Sequence, residues 1–237
     1  MTRHTPSILP ATQSRPNERV LVVFSGGQDS TTCLAQAVRE RGSDNVSCIT
    51  FHYGQRHNVE VEAAKKIAAH FGVAGHKIVG LDSYGQITTN ALLNPEMPIT
   101  QTADAACPNT IVDGRNMMFL LVAAIYAKSQ GIRDIVVGVC ETDFSGYPDC
   151  RDVFIKSCNV TLNLAMDYAF QIHTPLMFLT KAETWALADS LGVLEYVAEN
   201  TVTCYNGVAG AGCGGCPACA LRRRVLEAHL KNKEGKC

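Results

Sequence analysis

Short apolar runs alternate along the chain with longer stretches in which apolar residues recur at helical spacing. The first run, residues 20–24, is rich in valine and stops at two glycines, which favours a buried parallel strand. Similar runs predict strands over residues 46–51, 76–81, 132–139 and 170–173. Helical spacing predicts helices over residues 30–41, 59–71, 116–130, 152–168 and 180–191.

Strands that alternate with helices predict an α/β fold with a Rossmann-like parallel five-stranded sheet and flanking helices. Ligands of such sheets bind outside the carboxyl ends of the strands. We expect a flexible leader over residues 1–18, a nucleotide-binding domain over 19–192, and a metal-binding segment over 193–237 packed on it. Residues 82–115 show little periodicity and predict an irregular, substrate-facing insertion.

Charge and composition narrow the expected partners. The 237 residues include 21 Lys and Arg against 22 Asp and Glu, a balance that gives no case for direct binding to nucleic acid or to anionic membranes. No apolar run is long enough to span a membrane, and the first residues lack the apolar centre of a signal peptide. We therefore expect a cytoplasmic protein with reduced thiols.

A glycine-rich loop follows the first predicted strand. Gly26 and Gly27 let backbone amides approach a ligand closely, and the helix that follows offers free N–H groups to an anion. Hydroxyl donors in the same segment are Ser25, Ser30 and Thr31. Asp29 suits a Mg²⁺ ion that accompanies a nucleotide. The segment therefore predicts a phosphate site, although a serine-rich helix cap remains the simpler alternative.

Four of the eleven cysteines are clustered near the end of the chain. Eight residues separate Cys204 from Cys213, and two residues separate each later neighbour, Cys216 and Cys219. Four thiolates favour a closed, structural Zn²⁺ site, one per chain; an iron–sulfur cluster and a disulfide pair stay open as alternatives. The basic run 222–224 that follows is interpreted as a solvated helix face.

The loop Ser-Gly-Gly-Gln-Asp-Ser resembles the PP-loop of the ATP pyrophosphatases. Further strings follow in order at predicted strand ends: His-Tyr-Gly-Gln-Arg-His at 52–57, Pro-Asn-Thr at 108–110, Gly-Arg-Asn at 114–116, Glu-Thr-Asp-Phe-Ser-Gly-Tyr-Pro-Asp-Cys-Arg-Asp at 141–152, Thr-Pro-Leu at 174–176 and Thr-Cys-Tyr-Asn-Gly at 203–207. In this order they resemble the 7-cyano-7-deazaguanine synthases of queuosine biosynthesis, from about residue 20 to the end.

The resemblance implies an adenine nucleotide alpha-hydrolase-like fold and a ligase that forms C–N bonds. ATP activates 7-carboxy-7-deazaguanine as an acyl-adenylate, ammonia gives the amide, and a second activation gives 7-cyano-7-deazaguanine. It also implies a homodimer, to which helix 116–130 is one possible contributor. No glutaminase segment is recognisable, so free ammonia is the expected nitrogen donor.

The resemblance also implies roles for particular residues. ATP is expected at Phe24, Ser25, Gly26, Gly27, Gln28, Asp29, Ser30, Thr31, Thr32, Cys33 and Leu34. Catalytic roles are expected for Asp29 on Mg²⁺, Lys181 on the phosphate charge, and Arg115 and Arg151 on carboxylate or phosphate. The deazaguanine ring is expected at Glu141, Asp143, Tyr147 and Asp152, with His52 and His57 as proton shuttles.

Two positions depart from the family pattern: His52 stands where an acidic residue is expected, and Asp113 where a proline is expected. Two other functions stay open. A tRNA thiolase would need a persulfide-carrying cysteine or a cluster, and usually a basic RNA-binding surface. A zinc-ribbon-like adaptor would have no use for a phosphate-binding loop.

Overall fold

The computed structural model describes residues 18–55, 58–82, 84–88, 90–94, 96–97, 109–141 and 147–234. Five parallel strands form one sheet: β1 Val20–Val23, β2 Val46–His52, β3 Gly75–Gly80, β4 Asp134–Val137 and β5 Gln171–His173. Their order is β3-β2-β1-β4-β5. The chain builds outward from β1 on one side and then on the other, so the order reverses between β1 and β4. That reversal opens a crevice at the carboxyl ends of these strands.

The helices lie between and after the strands. They are α1 Gln28–Arg41, α2 Val59–His70, α3 Tyr84–Ile87, α4 Arg115–Ser129, α5 Asp152–Met166, α6 Lys181–Ser190, α7 Leu194–Asn200 and α8 Pro217–Glu234. Short 3₁₀ turns cover Ser43–Asn45 and Pro148–Cys150. The parallel α/β fold predicted from the sequence is confirmed. In the ranges given above, no helix is both long and apolar enough to cross a bilayer.

The central strand separates two hydrophobic cores. Leu21 points into a core shared with α4 and α5, whereas Val20 and Val22 point into a core shared with α1 and α2. Because helices cover both faces of the sheet, β1 is apolar at every position rather than at alternate ones. Packing against both faces of the sheet holds the end of β1 in place. The position of the loop that follows β1 is fixed in the same way.

A buried ion network lies near the amino end of β4. Asp134, 2% exposed, accepts hydrogen bonds from His173 Nε2 at 2.7 Å and from Arg41 Nη2 at 3.2 Å. Arg41 Nη1 also donates to the Glu18 carbonyl at 3.0 Å. Burial alone would raise the pKa of Asp134, but the bonds from His173 and Arg41 outweigh it and lower that pKa. The network joins the end of α1 to β4 and β5.

The start of α6 carries the predicted capping box. Thr180 Oγ1 accepts from the Glu183 amide at 3.3 Å, and the Glu183 carboxylate accepts from the Thr180 amide at 2.9 Å. The last helix, α8, packs along α6, and Trp185 of α6 is fully buried. Through this cap, Lys181 is presented at the first position of a well-anchored helix.

Candidate functional site

The glycine-rich loop is a compact turn held by its own serines. Ser25 Oγ and Ser30 Oγ lie 3.0 Å apart, and Ser30 Oγ donates to the Gly27 carbonyl at 3.2 Å. The Gly27 amide donates to Ser25 Oγ at 3.3 Å. Helix α1 begins directly afterwards at Gln28, two residues earlier than the sequence predicted. The first-turn amides of α1 therefore point towards the crevice between β1 and β4, where an anion is stabilised.

Three buried polar atoms at the start of α1 have no hydrogen-bond partner among the residues the structure describes. They are Gln28 Nε2, Asp29 Oδ1 and Thr31 Oγ1. An unsatisfied buried polar atom costs about 1–3 kcal/mol, and three of them together at the start of one helix indicate a place where a ligand or ion binds. Two donors and one carboxylate oxygen match the needs of phosphate and of a divalent cation, respectively. The residues present fit a nucleotide with Mg²⁺.

Lys181 reaches the loop from the other side of the crevice. Its Nζ donates to Asp29 Oδ2 at 2.7 Å, so this carboxylate has one oxygen on the lysine, while the other is buried without a partner among the described residues. The two residues are 152 positions apart in the chain. Sequence analysis predicted both of them as site residues but not their contact.

The loop is packed too closely for any residue but glycine at position 26. Gly26 has φ +77°, and a Cβ there would lie 2.8 Å from the Ala64 amide nitrogen and 2.9 Å from the Glu60 carbonyl oxygen. After β4, Gly138 approaches from the opposite side, where a Cβ would lie 3.1 Å from the Ser30 amide nitrogen. These contacts clamp the loop between α2 and the end of β4.

The remaining predicted loop residues belong to the helix interior. Thr32 Oγ1 donates to the Gln28 carbonyl at 3.0 Å, and the side chains of Cys33 and Leu34 are buried in the core with Phe24. Burial raises the pKa of the Cys33 thiol strongly. These side chains hold α1 in place, while residues 25–31 form the turn and the first helical residues beside the crevice.

Arg115 lies across the crevice, at the start of α4. Its guanidinium is hydrogen-bonded to the Tyr53 side chain and lies 5.9 Å from the centre of the Tyr147 ring. Burial would lower the pKa of Arg115, but Tyr53, Tyr147 and Asp149 together outweigh it, so the shift is upward and the charge is kept. The Tyr147 hydroxyl lies 2.7 Å from Thr110 Oγ1. Arg115 and Tyr147, both predicted as site residues, are thus brought together.

The other predicted substrate residues lie around the start of α5. Glu141 accepts from the Asp152 amide at 3.0 Å and so caps this helix, while Asp152 pairs with Lys156 at 2.5 Å. Arg151 is exposed at the N-cap position. Asp143 and His57 lie outside the described residues. Sequence analysis assigned Glu141 to the substrate and did not predict its capping contact.

Both departures from the family pattern are at the surface of the described structure. His52 Nδ1 lies 3.1 Å from Asp82 Oδ1, which brings a carboxylate to the end of β2 from the end of β3. Asp113 is exposed just before α4.

Glu60 is a site candidate that sequence analysis missed. It lies in the first turn of α2, half-buried, and interacts electrostatically with Arg115 and Tyr53. Burial raises the pKa of Glu60 to about 7, although the positive charge of Arg115 opposes this shift. An acid in the first turn of a helix is an ordinary sequence pattern, so nothing in the sequence distinguished it.

The four predicted cysteines form one cluster. The sulfur atoms of Cys204, Cys213, Cys216 and Cys219 all lie within 4.8 Å of one another. Backbone and side-chain N–H groups of Asn206 donate to Cys204 Sγ and Cys213 Sγ, both at 3.3 Å. Bonds from the Gly215 amide and from Asn206 lower the pKa of the Cys213 thiol to about 6, towards the thiolate that a metal requires.

Glycine is required beside this cluster. A Cβ on Gly212, which has φ +76°, would lie 2.2 Å from Cys219 Sγ. A tetrahedral ion with bonds of about 2.3 Å to sulfur places sulfurs about 3.8 Å apart, which is compatible with four sulfurs that all lie within 4.8 Å of one another. The donor set and the space therefore fit one metal ion bound by four thiolates.

Arg222 corrects the interpretation of the basic run. Its side chain is only 7% exposed and makes four hydrogen bonds: to Thr201 Oγ1 at 2.8 Å, Thr203 Oγ1 at 2.6 Å, and the Val197 and Ala198 carbonyls at 3.0 and 2.8 Å. It also lies 5.4 Å from the centre of the Trp185 ring. The run was predicted to be a solvated face; only Arg223 and Arg224 are exposed.

A backbone hydrogen bond connects the cysteine segment to the phosphate loop. The Val202 amide donates to the Gly26 carbonyl at 3.1 Å, two residues before Cys204. The flanking threonines, Thr201 and Thr203, are the ones that Arg222 holds. The segment between α7 and Cys204 is thus part of the support of the loop.

Fold and sites together define a parallel α/β nucleotide-binding protein of the PP-loop type that carries four clustered cysteines able to hold a metal ion. A family model described as "Queuosine biosynthesis protein QueC" matches residues 19–230. The chain therefore belongs to the QueC family of queuosine biosynthesis, as the sequence motifs predicted, and is an ATP-using enzyme.

Among solved structures, the chain is similar to an NH3-dependent NAD synthetase from Campylobacter jejuni subsp. jejuni NCTC 11168 in complex with the nitrate ion. The two are 16% identical, with a TM-score of 0.47. The match covers 78% of this chain and 69% of the synthetase.

Proposed function

We propose that the enzyme converts 7-carboxy-7-deazaguanine and ammonia to 7-cyano-7-deazaguanine, with ATP activating the substrate twice. The proposal rests on family membership together with the geometry of the crevice. The observation that carries it is the start of α1, where Gln28 Nε2, Asp29 Oδ1 and Thr31 Oγ1 are buried without described partners and Lys181 lies 2.7 Å from Asp29.

The loop would bind the β- and γ-phosphates of ATP and leave the α-phosphorus open to attack. The substrate carboxylate attacks it, a P–O bond breaks, and pyrophosphate leaves. Lys181 and the first-turn amides of α1 stabilise the charge that grows on the phosphates. Mg²⁺, held through Asp29, supplies further neutralisation of phosphate charge.

The second substrate position lies opposite the loop, beside Arg115 and Tyr147. A guanidinium binds a carboxylate through two parallel hydrogen bonds, and an aromatic ring stacks on a purine-like ring. Arg115 is held by Tyr53 and Tyr147, so its charge is positioned before the substrate arrives. Ammonia then displaces AMP to give the amide, and a second adenylation removes the amide oxygen as AMP.

The direct test is an incubation of the purified protein with ATP, Mg²⁺, ammonium and 7-carboxy-7-deazaguanine, analysed by mass spectrometry. We expect the amide, then the nitrile, with AMP and pyrophosphate. Asp29→Asn should abolish all products, because it removes the carboxylate charge at the loop. Asp44→Asn, an exposed aspartate beyond the other end of α1, is the matched control and should be fully active. Formation of ADP instead of AMP would overturn the proposal.

For the cysteine cluster we propose a structural Zn²⁺ ion, one per chain. A single ion draws four thiolates closer together than a cluster that places several irons and sulfides between them, and the sulfurs here lie within 4.8 Å. Cys219→Ser should lose the metal and unfold at a markedly lower temperature, since structural zinc supplies folding free energy directly. Cys48→Ser, which alters a buried thiol of the hydrophobic core, should keep the metal. Elemental analysis for zinc and iron checks both; stoichiometric iron in the wild type would contradict zinc.

We also propose that a second copy of the chain covers the exposed apolar side of α4 and α5. Large apolar side chains line it, with Met117, Leu121 and Ile125 on α4 and Val153, Val160 and Leu164 on α5. Met117 contacts Cys158 across the two helices, so the patches are continuous. A self-complementary face of this kind suits a two-fold dimer in the cytoplasm. Light scattering should give a dimer for the wild type and a monomer for Leu164→Glu.

A further inference from the structure

Glu60 is fixed relative to the phosphate loop by its own backbone. Its carbonyl oxygen lies against Gly26, 2.9 Å from where a Cβ would stand. It belongs to the first turn of α2, immediately after the segment that leads from the end of β2. The side chain is half-buried and extends towards Arg115 and Tyr53. Glu60 thus contacts the loop through its backbone and interacts with Arg115 and Tyr53 through its side chain.

The neighbours of this carboxyl, and those of Arg115 beside it, come from three parts of the chain. Tyr53 follows β2, Arg115 begins α4, and Tyr147 and Asp149 precede α5. Arg115 is engaged by Tyr53 and lies over Tyr147, while Asp149 accepts from the Asn116 amide at 3.0 Å. The arginine that could have neutralised Glu60 is therefore shared among several partners.

The electrostatics suit proton transfer near neutrality. Burial raises the pKa of Glu60 to about 7, with Arg115 limiting the rise. A general base works best when its pKa lies near the working pH. The other acidic groups of the crevice have different tasks: Asp29 holds Lys181, and Glu141 caps α5.

We propose that the Glu60 carboxylate is the base that accepts the proton lost when ammonia attacks the acyl-adenylate. The ammonia lone pair forms the new C–N bond, and one N–H proton passes to Glu60. The C–O bond to the adenylate breaks, and its electron pair leaves with AMP. Acid, ammonia and ATP thus give the amide, AMP, pyrophosphate and one proton, which Glu60 later releases to water. This role rests on the proposed function.

The test separates adenylation from amide formation. Adenylation is measured as exchange of labelled pyrophosphate into ATP that depends on 7-carboxy-7-deazaguanine, without ammonia. The rate of amide formation is expressed per concentration of unprotonated ammonia at each pH. This corrects for the protonation of ammonia to ammonium. In Glu60→Gln we expect exchange near the wild-type rate and amide formation slower by about 10²- to 10³-fold. The control is Glu62→Gln, in the same helical turn, where the side chain is exposed and pairs with Lys65 at 2.6 Å. It should match the wild type in both pyrophosphate exchange and amide formation.

The pH profile gives a second readout. The rate of amide formation by the wild type should increase with pH, with an apparent pKa of about 7, as Glu60 loses its proton. The rate of Glu60→Gln should not show this increase. Hydroxylamine, a stronger nucleophile that loses its proton more easily, should restore much of the rate of the variant. Amide formation at the wild-type rate in Glu60→Gln, or an equal loss of exchange and amide formation, would overturn the role of Glu60 alone. No exchange in the wild type would overturn the proposed function as well.

Discussion

Two carboxyl groups lie beside arginines at opposite edges of the same sheet, and their pKa values move in opposite directions. Asp134, at the amino edge, has its pKa lowered because His173 and Arg41 donate to it directly. Glu60, at the carboxyl edge, has its pKa raised because burial outweighs an arginine that is engaged elsewhere. The difference shows that a nearby positive charge is not sufficient; the direct hydrogen bond decides which effect prevails.

The two edges serve different purposes. At the amino edge, Asp134 pairs directly with Arg41 and His173, and these pairs join α1, β4 and β5. At the carboxyl edge, polar groups such as Asp29 Oδ1 and Gln28 Nε2 are buried without partners among the described residues, at a cost to stability. Groups that are kept incompletely paired in this way are suited to substrates, at the expense of folding free energy.

The largest expected effect is at Asp134. Asp134→Ala should lower the free energy of unfolding by about 3–5 kcal/mol, because it leaves Arg41 buried without its carboxylate. Glu60→Ala should lower it by less than about 1.5 kcal/mol. Urea unfolding followed by circular dichroism measures both. Similar losses for the two variants would break the contrast between a structural and a functional carboxyl.

A smaller effect is expected for Gly26→Ala, about 2–4 kcal/mol, from a left-handed backbone together with a Cβ 2.8 Å from the Ala64 nitrogen. Gly72→Ala is the matched control: φ is also positive, +62°, but nothing lies within 4 Å of the added Cβ. Its free energy of unfolding should fall by only about 1 kcal/mol. ATP affinity should fall in the first variant and stay unchanged in the second.

Asp134 should make the stability of the protein sensitive to acid. Because the folded-state pKa of Asp134 is depressed, its stabilisation is fully present above its unfolded value, near pH 4, and is lost as the pH falls through the folded value. The free energy of unfolding of the wild type should therefore decline more steeply below about pH 4 than that of Asp134→Asn. Parallel declines in the two proteins would show that the aspartate is not the group responsible.

The smallest effect has the opposite sign. The folded-state pKa of Glu60 is raised from 4.5 to about 7, so ionisation costs the folded state stability as the pH rises through this window. Glu60→Gln should equal the wild type below about pH 4 and be more stable above pH 7, by less than about 1 kcal/mol because part of the side chain still contacts solvent. A variant that is less stable at pH 8 would contradict this sign. Thermal unfolding of the wild type and of Glu60→Gln at pH 4 and pH 8 measures the difference.

The sequence predicted the elements whose signals are local. Glycines after an apolar run indicated the loop, and cysteine spacing indicated the cluster. The contact of Asp29 with Lys181 joins residues 152 positions apart, and no local pattern encodes it. Arg222 was interpreted wrongly because a run of arginines does not reveal which one faces Trp185. Residues 222–224 were assigned to a helix face, but the bounds of α8 were not predicted because glycines and cysteines dominate the segment before it.

The bond between Val202 and Gly26 has a consequence for how the chain matures. A ribosome makes the phosphate loop well before the segment that supports it, because Gly26 precedes Val202 in the chain. Until Val202 emerges, the Gly26 carbonyl lacks this partner, and until Arg222 emerges, the neighbouring threonines lack theirs. A nascent chain can thus complete its sheet early, but its nucleotide site is finished only when the last helix has been synthesised.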